Sequence, residues 1–325
     1  MPLDKRQSEP SVSSVQHEGI IIKGIGGFYY VEADGQLYEC RGRGTLRGRG
    51  GKAASAGITP LAGDRCVISV YTNGLASLDK ILERRNFLMR PPVANLDNLF
   101  IVVSACDPQP NALTVDRFVS LAEHKGIEPI LVLTKLDKAS DEGFGDIYRQ
   151  AGFTVIHADY AGSDEERQRF LDEIRALMRG KVSAFAGNTG VGKSTLLNAL
   201  CPALARETGE TSRKLGRGRH TTRETELFTL DFGGRIADTP GFSSFDSEFS
   251  EVVYKEDLPD TFREFSDYVG QCRFTGCSHT CEKGCAVLEA VKRGDISPSR
   301  HADYVTLYNE VKDIKEWEKK KLHRP

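Results

Sequence analysis

Gly187-Asn188-Thr189-Gly190-Val191-Gly192-Lys193-Ser194 satisfies G-x-x-x-x-G-K-[ST], directly after the apolar run VSAFA and directly before the helix former TLLNAL. A loop of this kind between a strand and a helix commits its surroundings to an α/β sheet, because the loop needs a strand's carboxyl end and a helix N-terminus together. The glycines let backbone N–H groups turn inward around phosphate oxygens, and the helix adds the positive end of its dipole. Lys193 is expected to reach the outer phosphates and take part in the chemistry, and Ser194 to ligate magnesium. Asn188, Thr189, Val191 and Thr195 complete the expected loop contacts.

The flanking chain agrees. FIVVS, IEPILVLT, FTVIHA, VSAFAG, TELFTL and RIADT read as buried strands, separated by helical stretches such as TVDRFVSLAEHKG and DEERQRFLDEIRALMRG. This alternation predicts an open, mainly parallel α/β sheet. Asp238-Thr239-Pro240-Gly241 closes the last run, where the Asp238 carboxylate can hold the magnesium shell and the Gly241 N–H can approach a γ-phosphate. Between the two motifs, GRHTTR at 218–223 is a candidate switch loop. Its Thr222, with Thr221 as the alternative, would complete magnesium coordination when the γ-phosphate is present.

Thr134-Lys135-Leu136-Asp137 ends the run ILVL and resembles the [N/T]-K-x-D guanine motif of GTPases. Its aspartate can accept two hydrogen bonds from guanine N–H groups that adenine does not offer. The Ala158 N–H, after FTVI, is the candidate third base contact. The guanine motif precedes the phosphate loop, the reverse of the ordinary order, so the chain reads as a circular permutation. New termini in exposed loops leave such a sheet intact. A consequence is that the switch at 238–241 leads straight into the C-terminal region, which would ride on it.

Before Gly19 the chain mixes Ser, Pro and charge and reads as a disordered tail. From Gly19 to about Leu82, short β-rich runs with Gly-containing turns predict a small all-β barrel or sandwich. Beyond Ser250 the chain turns acidic and helical. Of eight cysteines, Cys272, Cys277, Cys281 and Cys285 crowd into one short stretch with His279, a density that points to a metal, with zinc expected, rather than to disulfides. No apolar run approaches the roughly 18 residues of a membrane span. A reducing cytoplasm, no membrane association and a monomer are expected.

At this point the chain resembles the ribosome small-subunit-dependent GTPase A family, RsgA. The resemblance rests on the permuted TKLD, GNTGVGKS and DTPG order, on RGRHTT, on GGFYYV, YECRGRGTLR and LAGDRC upstream, and on CRFTGCSH with GCAV downstream. It implies an N-terminal OB-fold, a central circularly permuted GTPase domain and a C-terminal, mainly helical zinc-binding domain. The expected boundaries are 1–18 for the tail, 19–88 for an RNA-binding OB-fold, 89–249 for the GTPase domain and 250–325 for the zinc region. The resemblance selects Cys285, with Cys272, Cys277 and His279, as the zinc ligands and leaves Cys281 spare. It further implies GTP hydrolysis to GDP, stimulated by the small ribosomal subunit late in that subunit's maturation.

Phe242 follows Gly241, where many small GTPases carry the Gln that orients water. Intrinsic hydrolysis should therefore be slow. His220 is the candidate water-positioning group, against the alternative that it contacts ribosomal RNA. Net charge of -2 excludes a uniformly basic RNA binder, yet Arg41, Arg43, Arg47, Arg49 and Lys52 form an acid-free basic run on the barrel that can follow a phosphate path. A nucleotide-gated RNA-binding assembly factor, in which hydrolysis only times release, is the rival reading. A zinc-dependent RNA binder with a degenerate nucleotide site is a third, disfavoured by intact Lys193, Ser194 and Asp238.

Overall fold

The computed structural model describes residues 13–42, 59–89, 91–202, 225–238 and 251–315. It divides into two units, 1–84 and 85–325. In the first, strands β1 (Ser14–Ile25), β2 (Phe28–Ala33), β3 (Gln36–Gly42), β4 (Arg65–Tyr71) and β5 (Ala76–Ile81) close a barrel in the order β1-β2-β3-β5-β4. Two-residue turns set its register: Gly26-Gly27 and Asp34-Gly35 all have positive φ, the conformation that matches strand twist in tight hairpins. Ile21, Val31, Cys40, Ile68 and Leu78 fill the interior with no exposed surface. The β3–β5 pairing is parallel and the others antiparallel, as in an OB-fold. A buried Asp64 is held by the Arg84 guanidinium through two hydrogen bonds of 2.6 and 2.7 Å.

One expectation fails here. Residues 14–18, read as part of a disordered tail, are strand, with Ser14 opposite Tyr71 and Glu18 opposite Val67. Their side chains are mostly exposed, so no apolar pattern announced them, and the pairing rests on backbone hydrogen bonds to β4.

In the second unit a short hairpin, β6 (Phe87–Met89) and β7 (Pro92–Ala94), precedes a six-stranded sheet. The sheet is built from β8 (Asn98–Ser104), β9 (Glu128–Thr134), β10 (Thr154–Ala158), β11 (Val182–Ala186), β12 (Glu226–Thr229) and β13 (Arg235–Asp238). Spatial order is β10-β9-β8-β11-β13-β12, parallel throughout except for edge strand β12. Every residue of β8 and β11 is buried, which explains their largely apolar character: a central parallel strand is covered on both faces. Helices α1 (Ala112–His124), α2 (Phe144–Gln150), α3 (Asp164–Met178) and α4 (Lys193–Leu200) supply the crossovers. Asn111 caps α1 by accepting from the Thr114 N–H, and Ser163 with Glu166 forms a reciprocal capping box on α3.

The chain beyond residue 250 belongs to the same unit as the sheet. The stretch read as acidic and helical contains two 3-10 turns, Leu258–Thr261 and Arg263–Phe265, and is followed by α5 (Ala286–Arg293) and α6 (Pro298–Val311). Phe262, Phe265 and Tyr304 form its aromatic core. Among the described residues no helix is long and apolar enough to cross a membrane.

Candidate functional site

From β8 the chain winds outward through β9 to β10, then returns to lay β11 on the opposite side of β8. Loops leaving the carboxyl ends of β8 and β11 therefore diverge and open a cleft, the position where open α/β sheets bind ligands. A small pocket lies there, lined by Ser104, Pro108 and Asn111 on one side and by Asn188 and Val191 on the other. The phosphate loop follows β11. Gly187 must be glycine, because a Cβ would sit 2.6 Å from the Val102 carbonyl oxygen. Gly190 and Gly192 hold φ of 83° and 95°, and Gly192 starts α4 without a side-chain cap. Gly192 thus brings no side chain of its own to the start of the helix, which suits an anion there.

Lys193 folds back over this loop and donates to the Gly187 carbonyl at 3.2 Å. Burial pushes its ammonium down to about 8. Ser194 and Thr195 are exposed on the first turn, as are Thr189 and Gly190 on the loop.

The guanine motif ends the neighbouring strands. Ser104, Thr134 and Ala158 are register partners across β8, β9 and β10, so the three loops leave the sheet side by side. Thr134 is buried and its hydroxyl donates to the Val191 carbonyl at 2.5 Å, tying the guanine motif to the phosphate loop. Lys135 takes a φ of 57° and its ammonium donates to the Asp107 carbonyl. Asp137 is exposed at the rim, and Ala158 is buried beside Thr134. Sequence reasoning missed the 105–111 loop: the Ser104 hydroxyl donates to the Pro108 carbonyl at 2.7 Å and fixes the segment whose Asp107 holds Lys135. A Pro-rich turn after a fully buried strand was the available signal.

Asp238 ends β13, the neighbour of β11. His220, Thr221, Thr222, Gly241, Arg43, Arg47, Arg49 and Lys52 lie outside the described residues. Of the basic run only Arg41 is described, exposed at the end of β3 with its guanidinium 4.9 Å from the Phe28 ring centre.

The cysteine cluster converges. Ligand atoms of Cys272, Cys277, His279 and Cys285 all lie within 4.8 Å of one another. The Cys272 and Cys285 sulfurs are 3.8 Å apart and each is 3.5 Å from His279 Nδ1. A tetrahedral ion with metal–sulfur bonds of about 2.3 Å and a metal–nitrogen bond of about 2.0 Å requires separations of about 3.8 and 3.5 Å. The residues therefore fit zinc. The Ala286 N–H points at the Cys272 sulfur at 3.3 Å, an interaction that favours a thiolate. Glu282 organises the loop by accepting from the N–H groups of Ser278, Thr280 and Cys281 and from the Ser278 hydroxyl. Against the upward push of burial, the Ser278 and Cys281 hydrogen bonds bring its carboxyl down to about 2. Cys281 is exposed and stands outside the cluster.

A phosphate loop and a guanine motif joined at adjacent strand ends, in reversed chain order, define a circularly permuted P-loop GTPase. The chain belongs to the RsgA GTPase family: the model described as RsgA GTPase matches residues 81–248, and that described as RsgA N-terminal domain matches 18–78. It is 44% identical over 303 residues to a Streptococcus pneumoniae protein named small ribosomal subunit biogenesis GTPase RsgA, covering 93% of this chain and 97% of that one. A Geobacillus kaustophilus protein of the same name is 43% identical, with 92% and 98% covered. Among solved structures, YloQ, described as a circularly permuted GTPase, superposes with a TM-score of 0.74 at 35% identity, covering 93% of this chain and 96% of its own. YjeQ from Thermotoga maritima gives 0.73 at 28%, covering 93% and 100%.

Proposed function

We propose that this GTPase is switched on by the small ribosomal subunit, hydrolyses GTP to GDP and phosphate there, and acts late in that subunit's maturation through contact with its RNA in the cytoplasm. The observation that supports the reading is the Thr134 to Val191 hydrogen bond, which ties the guanine motif to the phosphate loop. The shared name of the relatives, small ribosomal subunit biogenesis GTPase RsgA, supports the choice of partner. Magnesium would be held by Ser194, Asp238 and Thr222, or by Thr221 in its place, and would neutralise charge on the transferred phosphoryl group. Lys193 would draw charge from the outer phosphates, the Gly241 N–H would meet the γ-phosphate and His220 would orient the attacking water. Zinc at Cys272, Cys277, His279 and Cys285 would brace the C-terminal region. Arg41, Arg43, Arg47, Arg49 and Lys52 would follow an RNA backbone.

The test is GTP turnover by the full chain with and without purified small subunits. Strong stimulation, lost in Lys193→Ala, is the expected result. Tight GTP-dependent binding without stimulation would replace this reading with the gated assembly factor.

A further inference from the structure

The helix that starts at the nucleotide cleft also grips the end of the chain. Asn111 at the start of α1 lines the cleft. One to three turns further on, α1 makes a series of polar contacts with the region after residue 250. The Asp116 carboxylate pairs with Arg300 at 2.6 Å, Arg117 binds Glu310 through two hydrogen bonds of 2.7 and 2.8 Å, and the Ser120 and Thr261 hydroxyls meet at 2.7 Å.

The Arg300 site is the deepest of these. Arg300 is 1% exposed and lies against the rings of Phe262, Phe153 and Tyr148. It donates to Glu264 through Nε at 2.8 Å and through Nη2 at 3.2 Å. Asp116 has no exposed surface, and its two oxygens differ in their surroundings. Oδ1 accepts from both Arg300 and the Tyr148 hydroxyl, at 2.6 and 2.7 Å, whereas Oδ2 is buried with no donor. Asp303 follows Arg300 by one helical turn on α6 and so faces the same side. Its carboxyl interacts electrostatically with that of Asp116. Two ionised carboxylates cannot hydrogen-bond each other; one proton between them supplies the missing donor.

Charge balance points the same way. The groups facing this site are Asp116 from α1, Tyr148 from α2, Glu264 from the 263–265 turn, and Arg300 and Asp303 from α6. Arg263, the next cation along, is committed to Glu123 and Glu128. Three carboxylates therefore surround one guanidinium. Burial, then the charge and hydrogen bond of Asp116, lift the Asp303 carboxyl to about 7 against the opposing pull of Arg300. Burial likewise raises Asp116, with Arg300 opposing.

We propose that Asp116 and Asp303 share a single proton, which makes the joint between α1 and α6 a pH-sensitive clamp between the nucleotide-binding sheet and the Cys/His region. The proton is retained in the folded chain at pH values where it leaves an unfolded one. Folding stability from the pair is therefore fully present below about pH 4, falls as pH rises, and is lost above about pH 7.

Asp303→Asn tests this on the full chain, because the amide donates to Asp116 at every pH. Two readouts apply. The melting temperature of the variant should gain on that of the wild type as pH rises from about 5 to about 7.5 and then run level; parallel curves overturn the proposal. In the wild type at about pH 6, infrared difference spectroscopy should record a protonated carboxylic acid that is missing from Asp303→Asn. A wild type without that signal, or a variant that keeps it, overturns the proposal without relying on the variant's stability.

Discussion

The Thr134 hydroxyl sits 2.5 Å from the Val191 carbonyl oxygen, so the last residue of β9, where the guanine motif begins, holds the middle of the phosphate loop. Thr134→Val keeps the shape and removes the donor, leaving a buried carbonyl unpaired at a cost of about 1–3 kcal/mol. GDP and GTP should both bind roughly 5- to 160-fold more weakly in calorimetric titrations. Thr134→Asn, whose amide can also donate, should recover most of the affinity. Equal affinities for wild type and Thr134→Val would show that the strut is dispensable.

Asp137 is exposed at the rim, and its expected role is to accept from a guanine edge. Asp137→Asn reverses half of that pattern, since an amide donates where the carboxylate accepted. Guanine nucleotides should lose at least about two orders of magnitude in affinity while xanthine nucleotides, which carry a carbonyl in place of the amino group, gain. Competition between GDP and XDP reads the ratio directly, and an unchanged ratio would remove Asp137 from base recognition.

Lys193 carries its charge in a partly buried place, and burial brings it down to about 8. Because the folded value is below the unfolded one, the free protein should become more stable as pH rises from about 8 to about 10.5. Bound phosphates favour the ammonium, so the sign reverses for ligand binding: GDP affinity should fall above about pH 8, and binding there should take up a proton. Titrations in buffers of different ionisation enthalpy measure that uptake. Lys193→Met should bind GDP with no proton uptake of this origin.

Cys281 and Cys285 are four residues apart but have different surroundings, one exposed and the other buried in the four-residue cluster. Cys281→Ala should keep one zinc per chain by elemental analysis, and Cys285→Ala should lose it. Chelation of the wild type should expose amides across 270–311 to hydrogen exchange, since a small structural metal site supplies folding energy directly. Retention of zinc by Cys285→Ala would break the ligand assignment.

Much of the fold could be read from the chain because its signals are local. Gly-Gly and Asp-Gly turns, a capping box at Ser163, and largely apolar runs such as NLFIVVS each state a backbone geometry without distant information. The phosphate loop, guanine motif and Cys/His spacing are equally local. The parts that escaped depend on partners far along the sequence. Ser14–Glu18 became strand through β4, more than forty residues on. Lys135 is held by a carbonyl at Asp107, a group with no sequence signature. Arg300 and Asp116 are separated by 184 positions, and nothing near either one marks it as half of a buried pair.

The sheet order also sets a timetable for synthesis. The first strand of the sheet to leave the ribosome, β8, is a central one, and β9 and β10 can pair with it in turn as they emerge. Its other edge waits for β11, almost eighty residues later, with its N–H and C=O groups unpaired meanwhile. The nascent chain thus assembles the strands that carry the guanine motif before it owns the phosphate loop, so nucleotide retention is expected only once β11 and α4 have closed the open side of β8.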